Sequence, residues 1–183
     1  MDIAKNLSER KLIERCIADE RPYQELLYRK YATDMYKVAL MYSKSNADAA
    51  DILQESFIKV FKNIHKFRFE GSLRGWIRRT VVHTAINAYN KRQRDQQVVV
   101  SMAERGEVDA SIDSIVGQLE ANDIIKLVNG LPQKAQQVLK LYAIEGYKHK
   151  EIAALLGITE GTSKSQFSRA KKMLQTAINM LHG

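Results

Sequence analysis

A chain of 183 residues, 45% of them hydrophobic, can form one domain or two small ones and has enough apolar residues for a packed core. The single cysteine, Cys16, excludes an internal disulfide and a zinc site built from several cysteines, and it indicates a buried thiol in a reducing compartment. The net charge of +8 favours a polyanionic partner, either a nucleic acid or an anionic membrane surface.

The charge is unevenly distributed along the chain. Residues 1–92 hold 18 Lys and Arg against 11 Asp and Glu, residues 93–118 hold 2 against 5, and residues 130–183 hold 8 against 3. A generally basic protein would not be expected to alternate in this way, so the pattern suggests two basic ends separated by an acidic segment. We expect a cytoplasmic protein without membrane insertion, because no apolar leader and no stretch of ~18 apolar residues is present.

Apolar residues at helical spacing predict four helices in the first basic block. Each helix has a candidate N-cap or first-turn residue in front of its apolar stripe. In chain order these are Ser8, Pro22, Asn46 or Asp48, and Ser72. Residues 67–71 interrupt the pattern between the third and fourth helices, and the fourth helix is expected to end near Arg92.

Residues 93–118 lose the helical periodicity and are mostly polar and acidic, which predicts a flexible linker. Fully extended, this segment spans at most ~86 Å. Helical spacing resumes at residue 119, and Pro132 opens a further helix. The predicted fold class is therefore all-α, with small helical domains at residues 1–92 and 119–183 joined by a flexible acidic linker.

Residues 145–170 predict two helices joined by a tight turn. Gly157 can adopt the positive φ that ends the first helix, and Thr159 can cap the second. The expected small core contains Ile152, Leu155, Leu156, Ile158, Phe167 and Leu174. This arrangement is typical of a helix-turn-helix that places its second helix in the DNA major groove.

The second of these helices carries side chains that can bind base edges or phosphates. They are Thr162, Lys164, Ser165, Gln166, Ser168, Arg169 and Lys172. The alternative is an ordinary amphipathic helix whose charges are merely solvated.

This C-terminal block resembles the C-terminal domain of group IV, extracytoplasmic-function (ECF) sigma factors of the sigma-70 family. The matching residues include Leu131-Pro132, Glu145-Gly146-Tyr147, Leu156-Gly157-Ile158, Gly161-Thr162 and Arg169-Ala170. LuxR-type response regulators have a similar signature, so this block alone does not decide between the two families. The sigma-factor resemblance implies that residues 119–183 recognise the minus-thirty-five element of promoters.

Residues 48–61 resemble region 2.2 of the same family. Asp48, Asp51 and Glu55 are spaced three and then four residues apart, with Gln54 adjacent, and so share one helical face. Taken alone, such a face is as often simply solvated. The resemblance implies that it binds the clamp helices of the β′ subunit of core RNA polymerase, with the β flap as a further polymerase contact.

Residues 67–87 resemble regions 2.3 and 2.4, and the stretch from Arg68 to Arg92 holds six Lys or Arg and one acid. A basic helix beside a short loop with aromatic residues suits single-stranded DNA, because charges follow the backbone while the loop receives an unstacked base. The resemblance implies that this loop traps a flipped base of the minus-ten element. The predicted contact residues are Phe67, Arg68, Phe69, Gly71, Ser72, Leu73, Arg78, Arg79, His83 and Asn87.

Two aromatic positions in this stretch qualify that prediction. Many relatives carry Asn at the position of His83, so the preferred minus-ten bases stay open. Trp76 shares a helical stripe with Ile77 and Val81 and is expected in the core.

The resemblance covers residues 20–92 and 119–178 and implies an initiation subunit that binds core polymerase, recognises promoter DNA and helps to melt it. Promoter elements about 16 base pairs apart are separated by ~55 Å, within the reach of the linker. No catalytic residue, cofactor or metal is expected, and an anti-sigma factor is a further expected partner. The alternatives are a non-sigma helix-turn-helix regulator of duplex DNA and an RNA-binding or adaptor protein.

Overall fold

A computed structural model describes residues 8–100 and 126–182. Within these two stretches all regular structure is helical and no strand is present, which confirms the predicted all-α class. The described residues form two compact units, unit 1 up to Gln97 and unit 2 from Val98 onward.

Unit 1 consists of helices packed around buried apolar side chains. Its helices are α1 (Glu9–Ile17), α2 (Arg21–Leu40), α3 (Asn46–Asn63), a 3₁₀ turn (Ile64–Lys66) and α4 (Leu73–Val100). Helix α2 packs on α3, and α1 packs on both α2 and the 3₁₀ turn. The fully buried side chains at the centre include Ile13, Leu27, Met35, Val60, Leu73, Ile77 and Val81. Burial raises the pKa of the Cys16 thiol to about 11, as expected for a structural cysteine.

Local sequence accounts for where the helices begin. The Ser8 hydroxyl accepts the Lys11 amide at 3.3 Å, and the Ser72 hydroxyl accepts the Gly75 amide at 3.0 Å. Both are N-cap bonds that satisfy a first-turn amide, and both confirm the predicted caps.

The cap of α3 is Ser45, so the prediction of Asn46 or Asp48 was wrong. Ser45 has an extended backbone, and its hydroxyl accepts the Asp48 amide at 3.1 Å. Asn46 is already the first residue of the helix, where a side chain no longer reaches back to the exposed amides.

Helix α4 continues to Val100, beyond the end that the sequence predicted near Arg92. Residues 93–97 are Gln-Arg-Asp-Gln-Gln, which include no helix breaker and have acceptable helix propensity. The loss of apolar periodicity therefore does not end the helix, and residues 93–100 are not an irregular linker. The remaining predicted linker at 101–118, and the predicted helix at 119–125, lie outside the described residues.

Unit 2 contains a helical turn at residues 126–129, α5 (Gln133–Leu139), a π-helical segment (Lys140–Ile144), α6 (His149–Leu156) and α7 (Glu160–His182). Helices α5 and α6 both pack against α7. The core includes Leu131, Ala135, Leu139 and Ala170, with Val128, Phe167, Met173 and Leu174 packed partly buried around it.

The predicted core of unit 2 is only partly correct. Ile152 is fully buried, whereas the other predicted core residues are half-buried. Ala135 and Ala170 are fully buried instead, and such small side chains let helices approach closely. Val138 and Leu141 are also fully buried, so the five half-buried residues lie at the edge of a core that still contains large apolar side chains.

The Ser72 cap gives a first test of this architecture. Ser72→Ala is expected to lower the free energy of unfolding of unit 1 by about 1 kcal/mol, because one amide of α4 loses its acceptor. Trp76, the only tryptophan, lies in unit 1, so urea unfolding followed by its fluorescence reports on that unit. Ser43→Ala is the matched control, since that hydroxyl only donates to the Leu40 carbonyl. Equal losses for the two variants would contradict the cap assignment.

Candidate nucleic-acid and protein interfaces

The outer face of α3 exposes Asp51, Gln54 and Glu55 together. Ile58 follows one turn later and is 54% exposed. Glu55 forms an exposed ion pair with Lys59 at 2.6 Å, which contributes little to stability because solvent screens it. An apolar side chain surrounded by exposed polar groups is the composition expected of a protein-binding surface. We refer to Asp51, Gln54, Glu55 and Ile58 as the α3 face.

Asp48, grouped with this face by its spacing, is half-buried and bound within unit 1. One carboxylate oxygen bonds the Arg92 guanidinium of α4, and the other accepts the Lys44 amide at 3.0 Å. Asp48 therefore joins the start of α3 to α4. Its predicted contact with the polymerase stays a prediction. Helical spacing alone could not show that both carboxylate oxygens of Asp48 are already hydrogen-bonded within unit 1.

The loop at residues 67–72 presents an aromatic ring on a packed base. Phe67 is buried, with its ring centroid 5.1 Å from that of Phe69 and 5.8 Å from that of Trp76. Phe69 is 39% exposed and has a φ of 59°, and Gly71 has a φ of 100°. A phenylalanine at positive φ is strained and persists only where its surroundings hold it. The ring packing supplies that support.

The predicted minus-ten residues divide into three groups by exposure. The exposed ones are Arg68, Phe69, Gly71, Ser72, Arg79 and Asn87. Arg78 and His83 are half-buried, while Phe67 and Leu73 are buried, Leu73 with 0% exposure. The side chains of Phe67 and Leu73 are buried within unit 1. Their predicted contact with DNA stays a prediction.

Helix α4, which follows this loop in the chain, carries a row of polar residues that we call the α4 stripe. Arg79, His83 and Asn87 are spaced four residues apart and so lie on successive turns of one side of the helix. On α3, the Lys59 ammonium donates to the buried Thr84 hydroxyl of α4 at 3.3 Å, which helps to fix the two helices against each other. The stripe and the loop both lie in unit 1.

Arg10 of α1 also belongs to this surface, although its sequence context did not indicate it. Its guanidinium carbon lies 4.2 Å from the centroid of the Phe69 ring. The two residues are far apart in the chain, so no local pattern could have shown the contact.

The helix-turn-helix of unit 2 has the predicted turn. Gly157 ends α6 with a φ of 66°, and the Thr159 hydroxyl accepts the Thr162 amide at 3.0 Å at the start of α7. His149 Nδ1 and the Ser163 hydroxyl lie 2.9 Å apart, and Ser163 is fully buried. These bonds fix the first turn of α7 against α6.

Helix α7 has one exposed polar face, opposite the buried Ser163 and Ala170. The predicted residues on it are Lys164, Ser165, Ser168, Arg169 and Lys172. Thr162 and Gln166 are half-buried at its margin, and the Thr162 hydroxyl bonds that of Thr159 at 2.9 Å. The Lys164 ammonium bonds Glu160 at 2.7 Å and, through this hydrogen bond and its charge, lowers the pKa of that carboxyl. We refer to the five exposed residues as the α7 face.

Within residues 8–100 and 126–182 no helix has both the length and the apolar content to cross a membrane. The same part of the chain has no group of three or more His, Cys, Asp or Glu placed to hold a metal ion.

Two family models match the chain, Sigma-70 region 2 over residues 27–95 and Sigma-70, region 4 over residues 121–174. The ECF RNA polymerase sigma-E factor of Haemophilus influenzae is 26% identical over 189 residues, an alignment that covers 98% of this chain and 100% of that protein. The sigma-E factor of Escherichia coli is 25% identical over 191 residues, covering 98% of each chain. The chain belongs to the ECF sigma factors of the sigma-70 family.

Solved structures agree with this sigma-factor fold. The sigma factor RpoE from Bartonella quintana, in complex with the anti-sigma factor NepR, has a TM-score of 0.53 at 21% identity, over 85% of this chain and 96% of that one. CnrH, in complex with the cytosolic domain of CnrY, has a TM-score of 0.50 at 17% identity, over 94% and 97%. The predicted family is thus confirmed, and a non-sigma regulator is not favoured, because the region 2 match has no place in such a protein.

Proposed function

We propose that this sigma factor functions through three surfaces. The α3 face binds core RNA polymerase, the loop at residues 67–72 with the α4 stripe holds the melted minus-ten strand, and the α7 face reads the minus-thirty-five element. Region 2 function falls in residues 1–92 and region 4 function in residues 119–183, joined by residues 93–118. The two family matches, at 27–95 and 121–174, support this division.

The observation that carries the proposal is the loop with its exposed Phe69 ring. An exposed aromatic ring beside a basic helix is the combination that proteins use to hold an unstacked base, because the ring stacks on the base and the charges follow the backbone. Extruding a base costs a few kcal/mol. Stacking on Phe69 and charge contacts from Arg68 and Arg79, at ~1–3 kcal/mol for each stacked base, can offset that cost.

Recognition of the upstream element is assigned to the α7 face. Arg169 and Lys164 can donate to guanine edges or phosphates, and Ser165 and Ser168 can bind either. The buried Ser163 and the Thr159 cap hold the first turns of α7 in place, so these side chains approach the groove from a fixed helix.

The partners follow from the same surfaces. Core RNA polymerase carries out the nucleotide chemistry in the cytoplasm, through its β′ clamp helices at the α3 face and its β flap, so the sigma factor itself is not an enzyme. The similar sigma factor RpoE is described in a complex with the anti-sigma factor NepR, which supports an anti-sigma factor as a further partner of this chain.

Co-elution with core polymerase tests this assignment against duplex-only regulation. The purified protein is expected to elute with core polymerase in gel filtration, and to protect promoter DNA from DNase I only when core is present. Protection depends on core polymerase because the α3 face attaches the sigma factor to the polymerase, and because the loop binds only a DNA strand that has been melted. Sequence-specific protection of duplex DNA by the protein alone, together with no complex with core, would contradict the proposal.

A further inference from the structure

Helix α1 lies outside the matched region 2 model, which begins at residue 27, yet it is fixed beside the loop. Ser8 caps it, and the Tyr31 hydroxyl of α2 donates to Glu9 at 3.2 Å. Helix α1 also packs on the 3₁₀ turn that leads into residues 67–72. Its first turn is therefore held at the edge of the proposed minus-ten pocket.

Arg10, in that first turn, places its guanidinium carbon 4.2 Å from the centre of the Phe69 ring. A planar cation at this distance is attracted by the negative face of an aromatic ring. Arg10 is itself exposed, so the guanidinium remains accessible to a further planar or anionic group. Exposed Arg68, next to Phe69 in the chain, adds a second positive charge to the loop.

We propose that Arg10 is a DNA-binding residue of the minus-ten pocket, a proposal that rests on the assignment of the loop to single-stranded DNA. The guanidinium, held against the Phe69 ring, donates to a phosphate of the trapped nucleotide. Arginine suits both contacts, because its plane stacks on aromatic rings and its donors match phosphate oxygens. The site thus extends from the loop and α4 to the N-terminal helix.

A DNA-binding role and a purely structural role of Arg10 predict different effects when its side chain is removed. If the side chain only holds the Phe69 ring in place, its loss should lower the stability of unit 1 and leave the number of phosphate contacts unchanged. A DNA-binding role instead requires that the loss of Arg10 reduce the number of phosphate contacts. Each phosphate contact contributes about 0.7 to the slope of log affinity against log salt for a single strand.

The experiment measures holoenzyme binding to a fluorescein-labelled single strand that carries the non-template minus-ten sequence of a promoter selected by transcription. Arg10→Ala is expected to weaken binding about fivefold to twentyfold and to reduce the salt slope by about 0.7. Arg10→Lys should restore the slope but not the full affinity, because an ammonium group has no plane to stack. Lys11→Ala is the matched control, since it removes the same charge from the neighbouring exposed position of α1.

Two further measurements separate the possible outcomes. Thermal unfolding followed by Trp76 fluorescence should give a midpoint for Arg10→Ala that is at most about 5 °C below that of Lys11→Ala, because only one exposed cation–π contact is lost. If Arg10→Ala binds as tightly as Lys11→Ala while Phe69→Ala loses affinity, the Arg10 proposal fails and the loop assignment stands. If Phe69→Ala also binds normally, both fail. Weaker binding of Arg10→Ala with an unchanged salt slope and a lowered midpoint would overturn the proposal in favour of a structural role.

Discussion

Asp51→Arg combined with Glu55→Arg is expected to lower the affinity for core RNA polymerase roughly 30-fold to 1,000-fold, or ~2–4 kcal/mol. Both carboxylates are exposed on the α3 face, beside the exposed Ile58. Reversing two charges replaces attraction to a basic partner surface with repulsion. Both reversed charges lie beside Ile58, the apolar residue at the centre of the proposed contact. The dissociation constant can be measured by fluorescence anisotropy of labelled sigma factor titrated with core.

The chain offers a closely matched control for this charge reversal. Glu55 pairs with Lys59 at 2.6 Å, and Glu25 on α2 pairs with Arg29 at the same distance and the same four-residue spacing. Glu25→Arg therefore breaks an equivalent exposed ion pair and makes the same change in net charge as Glu55→Arg alone. Normal core binding by Asp51→Arg and Glu55→Arg, or an equal loss in Glu25→Arg, would show that the docking face is wrongly assigned.

Lys164→Ala combined with Arg169→Ala is expected to reduce the preference of the holoenzyme for an intact minus-thirty-five element by about 10-fold to 100-fold. A side chain that reads a base edge contributes about 1–3 kcal/mol of discrimination, and one that binds only phosphate contributes to all sequences alike. The measurement compares binding to promoter DNA with an intact and with a scrambled upstream element.

The control for this pair removes two charges elsewhere in unit 2. Lys126→Ala combined with Lys134→Ala changes the helical turn at 126–129 and α5, both away from the α7 face, and lowers the net charge equally. It should weaken binding to the two DNAs by the same small factor. If the α7 variant also loses affinity equally for intact and scrambled DNA, α7 does not read the upstream element.

Sequence periodicity predicted much of the helical framework because these helices are amphipathic, and burying an apolar stripe is what stabilises them. The turn of the helix-turn-helix was predictable for a local reason, since a glycine at positive φ and a threonine cap are specified within a few residues. The end of α4 was not predictable in this way. Residues 93–97 remain helical because of their helix propensity, and they have no apolar stripe from which the helix could be recognised in the sequence.

The features that sequence could not predict depend on contacts between distant residues. Asp48 shares a helical face with Asp51 by spacing, yet it is half-buried and bonds Arg92 of α4, so it is not part of the exposed α3 face. Arg10 meets Phe69 only because α1 packs on the 3₁₀ turn. Leu73 was placed among the DNA contacts by motif position, whereas the packing of unit 1 buries it completely.

Transcription from a promoter library tests the division of labour between the surfaces most directly. Core polymerase reconstituted with this sigma factor transcribes templates whose upstream sequences are randomised, and the transcripts are sequenced. We expect start sites to share two elements about 16 base pairs apart, the upstream one lost with Lys164→Ala and Arg169→Ala and the downstream one with Phe69→Ala. Start sites that share no element, or one element insensitive to both sets of substitutions, would contradict the account.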